Sequence, residues 1–466
     1  MKIDNFNGFL SYKDETCPFS FMNYNLTIHP SSIEKWEELK GEWFHFTSVP
    51  RNKWTNKIII EGITQNNTGV YFFVTDNPLF SNGYFTYKVD YMYIYKINPS
   101  DGKMYDINGL KFSSPEINYF HDVSDYLEQD LKLKENTFDE YSLVLKSKKD
   151  KNFGKFRWHN YSINLKGSLS WKKENDTYGP LNINSLLIFD FSRKCNDLKK
   201  IIELINIQKS MLYFLCYRKN ITFSEIQTYS YNSNGSRFST GKIYIFDDNN
   251  NFEEKKESIK QIIDLSNTNK SFTKLYELNI KNKLYFSHIL NNSFERSIYT
   301  PARMLSILIA FEHYFKIFYP DVNIQSEEFE TAKSETTSFL KDKIQHSTGK
   351  LKKKYKSLNS SINKIDVGYG ERLKYALNDN YNILKPFISR RFKVKQPKRI
   401  VSACSERINV IRNSMAHGNL DLKFKPINTN DIYIIELLLY SMVLKSVGLD
   451  TDVIQEKIKR LFNLKF

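Results

Sequence analysis

Ile411-Arg412-Asn413-Ser414-Met415-Ala416-His417-Gly418 closes a regular apolar repeat near the C-terminal end of the chain. Counting back from Gly418, the residues Met415, Ile411, Ile408 and Cys404 recur at spacings of four, three and four. That is the period of an amphipathic helix burying one narrow stripe. Gly418 is the residue at which such a helix turns out. Arg412 lies just off the stripe, and His417, five residues on, falls about 140° round from it at roughly 100° per residue. The two therefore do not share a face of one unbroken helix. Either the last turn unwinds so that His417 swings toward Arg412, or the pair meets the same pair of a second copy across a two-fold axis.

Outward from this stretch, residues 291–466 read as all-helical and residues 1–290 as β-rich, with Asn291-Asn292-Ser293 at the boundary. Pro301 opens a long helix at a position where its missing N–H costs nothing, and Leu305, Leu308, Ile309, Glu312 and Phe315 track one side of it. Helices are expected over 327–344, 372–377, 432–445 and 453–462, completing a bundle. In the N-terminal part, 43–46, 57–63, 69–74, 84–97, 142–145, 156–165 and 186–191 are short, aromatic or β-branched, and punctuated by Asn, Gly, Ser and Pro. They predict strands in a sandwich-like arrangement. Within that part, 124–136 reads as a short helical insertion and 196–217 as a helix with a broad apolar face. Strands follow over 221–229 and 242–246, then a solvated loop over 247–260 leading into a helix that includes Ile262, Ile263 and Leu265. The fold class expected is α+β and multidomain.

Composition narrows the function. The formal net charge is +16, and between Lys341 and Arg399 the chain carries 17 Lys or Arg against 4 Asp or Glu, so that segment holds +13 of the total. Such an asymmetry points to a polyanionic partner, or to a solvated face. Two runs interleave cations with an aromatic: Lys352, Lys353 and Lys354 beside Tyr355, and Arg390, Arg391 and Lys393 around Phe392. That combination holds phosphates while stacking a base. The four cysteines are far apart, as in a reducing cytosol, and neither they nor the eight histidines have metal-ligand spacing. No metal or other cofactor is implied. The first residues lack the apolar run of a signal peptide, no apolar stretch has the length of a bilayer span, and the basic segment has no long apolar face. A cytoplasmic protein without a membrane partner is expected.

Arg412-Asn413-x-x-x-His417 resembles the Arg-x(4 to 6)-His signature of HEPN ribonucleases, with Asn413 as the polar residue that follows the arginine. Leu308-Ile309-Ala310-Phe311-Glu312-His313 looks like the first long helix of such a domain, where a Glu in a similar setting is common. The layout, a large β-rich part ahead of a C-terminal HEPN domain, is similar to the ApeA-like bacterial anti-phage defence proteins. The resemblance implies a metal-independent endoribonuclease and a site formed where two motifs meet, so a homodimer or larger even-numbered assembly. It also implies an RNA substrate, such as tRNA or another structured RNA, and an N-terminal part that answers a phage-derived trigger or restrains the nuclease.

In that chemistry RNA supplies its own nucleophile, the 2′-hydroxyl. His417, with an unperturbed pKa of about 6.5, would move protons at neutral pH. Arg412 would offer forked, permanently charged donors to the phosphate, Asn413 would orient the histidine or the phosphate, and Glu312 would fix Arg412 or the imidazole by an ion pair. Two other readings stay open. Arg412 and His417 also fit a dipole-compensating cation and a polar cap at a helix end. The bundle also fits a HEPN fold that binds nucleic acid without cutting it.

Overall fold

Two turns decide how the first strands pair. Strands β1 (Phe6–Tyr12), β2 (Glu15–Met22) and β3 (Asn25–Ile28) are joined by Lys13-Asp14 and Asn23-Tyr24, all four with φ between 48° and 66°. This is the backbone of type I′ turns, whose twist matches that of paired strands. Leu10, Cys17, Phe19, Phe21, Leu26 and Ile28 alternate along the three strands and are buried. The computed structural model describes residues 5–47, 57–75, 77–121, 123–134, 137–145, 150–173, 181–246, 253–322, 327–363, 368–416 and 425–464. They form two compact units, Met1–Ile280 with Asn291–Ser293, and Lys281–Leu290 with Phe294–Phe466.

Helix α1 (Ile33–Thr47) follows β3. The Ser32 hydroxyl accepts a hydrogen bond from the Lys35 N–H at 3.1 Å, and Trp36 and Leu39 are buried. Residues 43–46, expected as a strand, are the last turn of this helix. Their aromatic run favours a strand in isolation, but the capped start and the Trp36–Leu39 spacing carry the helix through them.

The next strands are β4 (Lys57–Thr64), β5 (Gly69–Thr75), β6 (Leu79–Ser81) and β7 (Tyr84–Tyr95). β7 is twelve residues long and divides its length. Phe85 to Lys88 pair with β3, while Val89 to Tyr95 pair with β5. The sequence of pairings β7–β3–β2–β1–β4–β5–β7 returns to its start, so six strands close a barrel. Its core includes Phe19, Phe21, Leu26, Val70, Phe72 and Met92. The sandwich-like expectation is corrected here. A strand long enough to serve both neighbours removes the free edges that two stacked sheets would keep.

Then come β8 (Gly109–Ser113), α2 (Ile117–Phe120), β9 (Leu127–Lys134), β10 (Thr137–Leu145), β11 (Lys151–Trp158), β12 (Tyr161–Lys173), β13 (Leu181–Phe191), α3 (Leu198–Cys216), β14 (Glu225–Tyr231), β15 (Arg237–Ile245), α4 (Lys256–Ile259) and α5 (Thr273–Ile280). The order β11-β12-β13-β8-β14-β15 runs on into β7 and so into the barrel. α3 and α5 lie on one face of this sheet: Tyr276 of α5 stacks on Phe156 at 4.7 Å, and Asn206 of α3 accepts a hydrogen bond from Tyr91.

Three further expectations are corrected. Of the helical insertion expected over 124–136, residues 124–134 form a short 3-10 turn and then β9, paired with β10, because Leu127, Leu131 and Leu133 also fit a period of two, and 135 and 136 lie outside the described residues. Residues 156–165 are not one strand: the chain reverses at His159, φ 47°, between β11 and β12. The helix expected through Ile262, Ile263 and Leu265 ends at Ile259, since the Ile263 and Leu265 N–H groups donate to the Leu215 and Phe120 carbonyls.

The second unit is helical: α6 (Pro301–Phe318), α7 (Glu327–Gln345), α8 (Gly349–Asn363), α9 (Tyr369–Asp379), α10 (Tyr381–Phe392), α11 (Lys398–Ala416), α12 (Pro426–Ser446) and α13 (Thr451–Leu461). α6 starts at Pro301, with the Thr300 hydroxyl accepting from the Arg303 N–H at 3.2 Å. α12 is buried nearly all round over Asp431 to Leu444, making it the central rod of the bundle.

Gly8 tests the barrel closure. A Cβ there would lie 2.1 Å from the Ile63 carbonyl oxygen across the β1–β4 pairing. Gly8→Ala should lower the unfolding free energy in urea by about 1–3 kcal/mol. Gly41→Ala, exposed on α1 with nothing within 4 Å, should raise it by about 0.5–1 kcal/mol.

Candidate active site and nucleic-acid interface

α11 buries Val401, Cys404, Ser405, Ile408, Ile411 and Met415, and so keeps Glu406, Val410 and Asn413 in solvent. Arg412 stands at the border of the two faces. Two of its nitrogens donate to one oxygen of Glu312 on α6, Nη2 at 3.0 Å and Nε at 3.3 Å. The guanidinium carbon lies 5.8 Å from the ring centre of buried Tyr369, the first residue of α9. Asn413 Oδ1 is 3.5 Å from Nη1. Arg412 thus keeps its Nη1 edge turned away from Glu312. Burial raises the Tyr369 phenol well above its ordinary value, with the Glu312 charge adding to the shift, so the ring is a neutral floor under the cation. Burial also pushes the Cys404 thiol well above its usual range, which removes it as a nucleophile.

The structure therefore brings Arg412, Asn413 and Glu312 together. His417 and Gly418 lie outside the described residues. His313, beside Glu312, faces another way: its Nε2 is 3.3 Å from the Lys283 carbonyl and its ring packs on Tyr285.

Behind this site is a pair of ion pairs that sequence reasoning missed. Arg407 of α11 makes two 2.7 Å bonds to Asp431 of α12, whose side chain is fully buried. Arg303 of α6 bonds Glu436 of α12 at 2.7 Å, and the Tyr299 hydroxyl bonds the same carboxylate. The signal was present in the sequence. Glu436 sits in the apolar run Ile432-Tyr433-Ile434-Ile435-Glu436-Leu437, and an acid so placed demands a cation.

The basic runs are placed on helices with different surroundings. Lys352, Lys353 and Lys354 lie on α8, which buries no residue, and make no ion pair among the described residues. Arg390 and Arg391 occupy the last turn of α10, where cations offset the helix dipole, and Lys393 caps it in the left-handed conformation. Arg391 is engaged, 4.8 Å over the Tyr433 ring. Next to them is a shallow cavity of about 500 Å³ lined by Tyr381, Lys385, Lys395, Gln396, Pro397, Lys398 and Arg399. Four cations and no acid around one depression suit a phosphate backbone. Lys385 lies outside the linear run and joins it only through the fold.

Among the described residues no group of three or more His, Cys, Asp or Glu is placed to hold a metal ion, and no helix is long and apolar enough to cross a membrane. No family model, curated protein or solved structure matches the chain.

The two kinds of ion pair should differ in stability. Arg407→Ala leaves the Asp431 carboxylate buried and unpaired and should cost about 3–5 kcal/mol in urea unfolding. Glu312→Gln loosens a pair that is partly solvated on both sides, and a loss above about 1 kcal/mol would contradict that picture.

Proposed function

We propose that the chain is a metal-independent endoribonuclease of the HEPN type. The observation that carries this reading is Arg412, clamped by Glu312 over the Tyr369 ring at the end of the helix that leads to His417. A guanidinium held by Glu312, with Nη1 engaged only by a long 3.5 Å bond to Asn413, is prepared to receive a phosphate without first being ordered. In the reaction His417 takes the proton of the 2′-hydroxyl or delivers one to the 5′-oxygen. The O2′–P bond forms as the P–O5′ bond breaks, leaving a 2′,3′-cyclic phosphate and a 5′-hydroxyl. Arg412 neutralises charge on the five-coordinate phosphorus. Asn413 and Glu312 position the arginine.

A composite site between two copies fits the exposed residues beside the ion pair. Val410 of α11 is 65% exposed and Ile309 of α6 is 43% exposed, each within a turn of Asn413 or Glu312. Apolar contacts there would offset the repulsion of cations brought together on a two-fold axis. The reading extends to a bacterial anti-phage effector whose β-rich unit restrains the nuclease or answers a phage-derived trigger. That extension rests on the layout of the chain. The exposed lysines of α8 and the cation-lined cavity equally favour a scaffold that binds RNA and leaves it intact.

Incubation with mixed RNA in EDTA separates the two. Arg412→Ala or His417→Ala should each lower cleavage by about 10²–10⁴-fold while RNA binding persists. Mixing the two inactive chains should restore part of the activity if each partner lends one residue. Undiminished cleavage by the double variant, or a requirement for added magnesium, rules out the metal-independent reading built on Arg412 and His417, and no cleavage by the parent chain leaves the RNA-binding scaffold.

Charge reversal at Lys352, Lys353 and Lys354 addresses the interface. The log-log salt dependence of RNA binding should flatten by roughly 0.7 unit for each phosphate no longer neutralised. An unchanged slope would assign these lysines to solvated surface.

A further inference from the structure

The sheet that continues the barrel has one face covered by α3 and α5, and the opposite face carries a row of charges. Register places Ile94, Lys242, Gln227, Lys111, Ile188, Lys166 and Asn152 directly across from one another on seven strands. Directly opposed residues project from the same side of a sheet. The row starts at the barrel, where Ile94 and Tyr244 pack against the core, so this polar face continues the barrel's interior.

An ion pair joins the two ends of this sheet. Asp150, just before β11, bonds Arg237 of β15 at 2.5 Å. Five strand intervals separate these strands, which in a flat sheet is about 24 Å at about 4.8 Å each. The pair exists because the sheet curls or the chain crosses back over it, and Lys111 lies on a strand between the two ends. Beside it Tyr229 is fully buried, its ring occupying the space above Gly109, where a Cβ would come 2.4 Å from the phenol oxygen.

Three of the cations on this face are matched. Lys166 bonds Asp190 at 2.5 Å, Arg237 bonds Asp150, and Lys242 bonds Glu225 at 2.6 Å. Asp190 is satisfied further by the Tyr229 and Tyr231 hydroxyls, at 2.9 and 2.8 Å. Lys111 is the exception. Its ammonium and the Arg237 guanidinium flank the same Tyr229 ring, at 5.5 and 5.6 Å from the centroid, and no hydrogen bond or ion pair reaches it among the described residues. The side-chain amide of Gln227, directly across from it, has no hydrogen bond among the described residues either. Burial, and then the Arg237 charge, lowers the pKa of Lys111, and the Asp150 and Glu225 carboxylates, each already bonded to another cation, offset only part of that shift. A half-buried cation next to another cation costs stability unless something anionic joins it.

We propose that this face is a binding site for a small anionic molecule, whose phosphate or carboxylate oxygens dock on Lys111 and hydrogen-bond Gln227. Arg237, held by Asp150, forms one edge of the site, and Ile188 supplies an apolar wall beside Lys111. The site belongs to the N-terminal unit and does not depend on the ribonuclease reading. It gives that unit a ligand to which it can respond.

The test uses the full chain with inorganic phosphate, adenosine monophosphate and succinate at millimolar concentration, against sodium chloride of equal ionic strength. Thermal unfolding and calorimetry are the readouts, with Lys352, Lys353, Lys354, Lys395 and Lys398 reversed in charge throughout to reduce anion binding by the helical unit. At least one of the three anions should raise Tm saturably, and which one does distinguishes phosphate from carboxylate ligands. Lys111→Met should weaken that binding at least about tenfold, equivalent to one charge-assisted hydrogen bond of about 1.4 kcal/mol, and Lys111→Arg should keep it. Without ligand, Lys111→Met should melt at the same temperature as the parent or higher, because a half-buried ammonium without a direct ion pair among the described residues has been removed. Lys111→Gln serves if the methionine variant does not fold. No shift beyond chloride with any of the three, equal binding by the variant, or a lower ligand-free Tm for both variants would overturn the site.

Discussion

Two carboxylates buried on α12, Asp431 and Glu436, constrain the whole helical unit. Withdrawing a carboxylate from water costs several kcal/mol unless a cation and further hydrogen bonds replace the water. Asp431 takes Arg407 of α11, and Glu436 takes Arg303 of α6 together with the Tyr299 hydroxyl. These demands set the rotation and the height of α6 and α11 against the central helix. Arg412 and Glu312, one on each of the two helices so placed, then fall within 3.0 Å. The candidate site is the solvent-side consequence of pairings made in the core.

That origin separates Arg412 from the other cations of the unit. Lys352, Lys353 and Lys354 stand on a helix that buries no residue, and the exposed Lys353 and Lys354 keep their hydration and rotamer freedom. They suit attraction and sliding of a polyanion. Arg412 is held by Glu312 and backed by Tyr369, so it loses little further entropy on meeting a phosphate. Chemistry that depends on stabilising a transient charge needs a group of the second kind.

In the β-rich unit the corresponding constraint is β7, which closes the barrel with β3 and β5 and also carries the second sheet through β15. Because one strand belongs to both parts, the interior of the barrel runs on into the polar face around Lys111. Most charges of that face are neutralised locally. An exception at its centre is the kind of local cost that folded proteins retain where a ligand completes the site.

Local chemistry determined much of this structure. The helical stripe of Cys404, Ile408, Ile411 and Met415 follows from spacing alone, as does the start of α6 at Pro301 behind the Thr300 cap. The strands at Lys57–Thr64, Gly69–Thr75 and Tyr84–Tyr95 follow from alternation and composition. Short segments whose pattern fits two periods were decided by tertiary partners: residues 43–46 by the helix they end, 127–134 by pairing with β10, and 262–265 by carbonyls of distant segments. Closure of the barrel was not legible either, since nothing in the sequence of β7 says that its two halves pair with different strands. Glu312 and Arg412 stand out in the sequence as candidates, but their pairing spans 100 residues, and the Asp431 and Glu436 pairings that produce it are equally non-local. Spacing determines which face of an element a residue occupies. Only the packed structure decides which other face it meets, because that depends on the burial of every element at once.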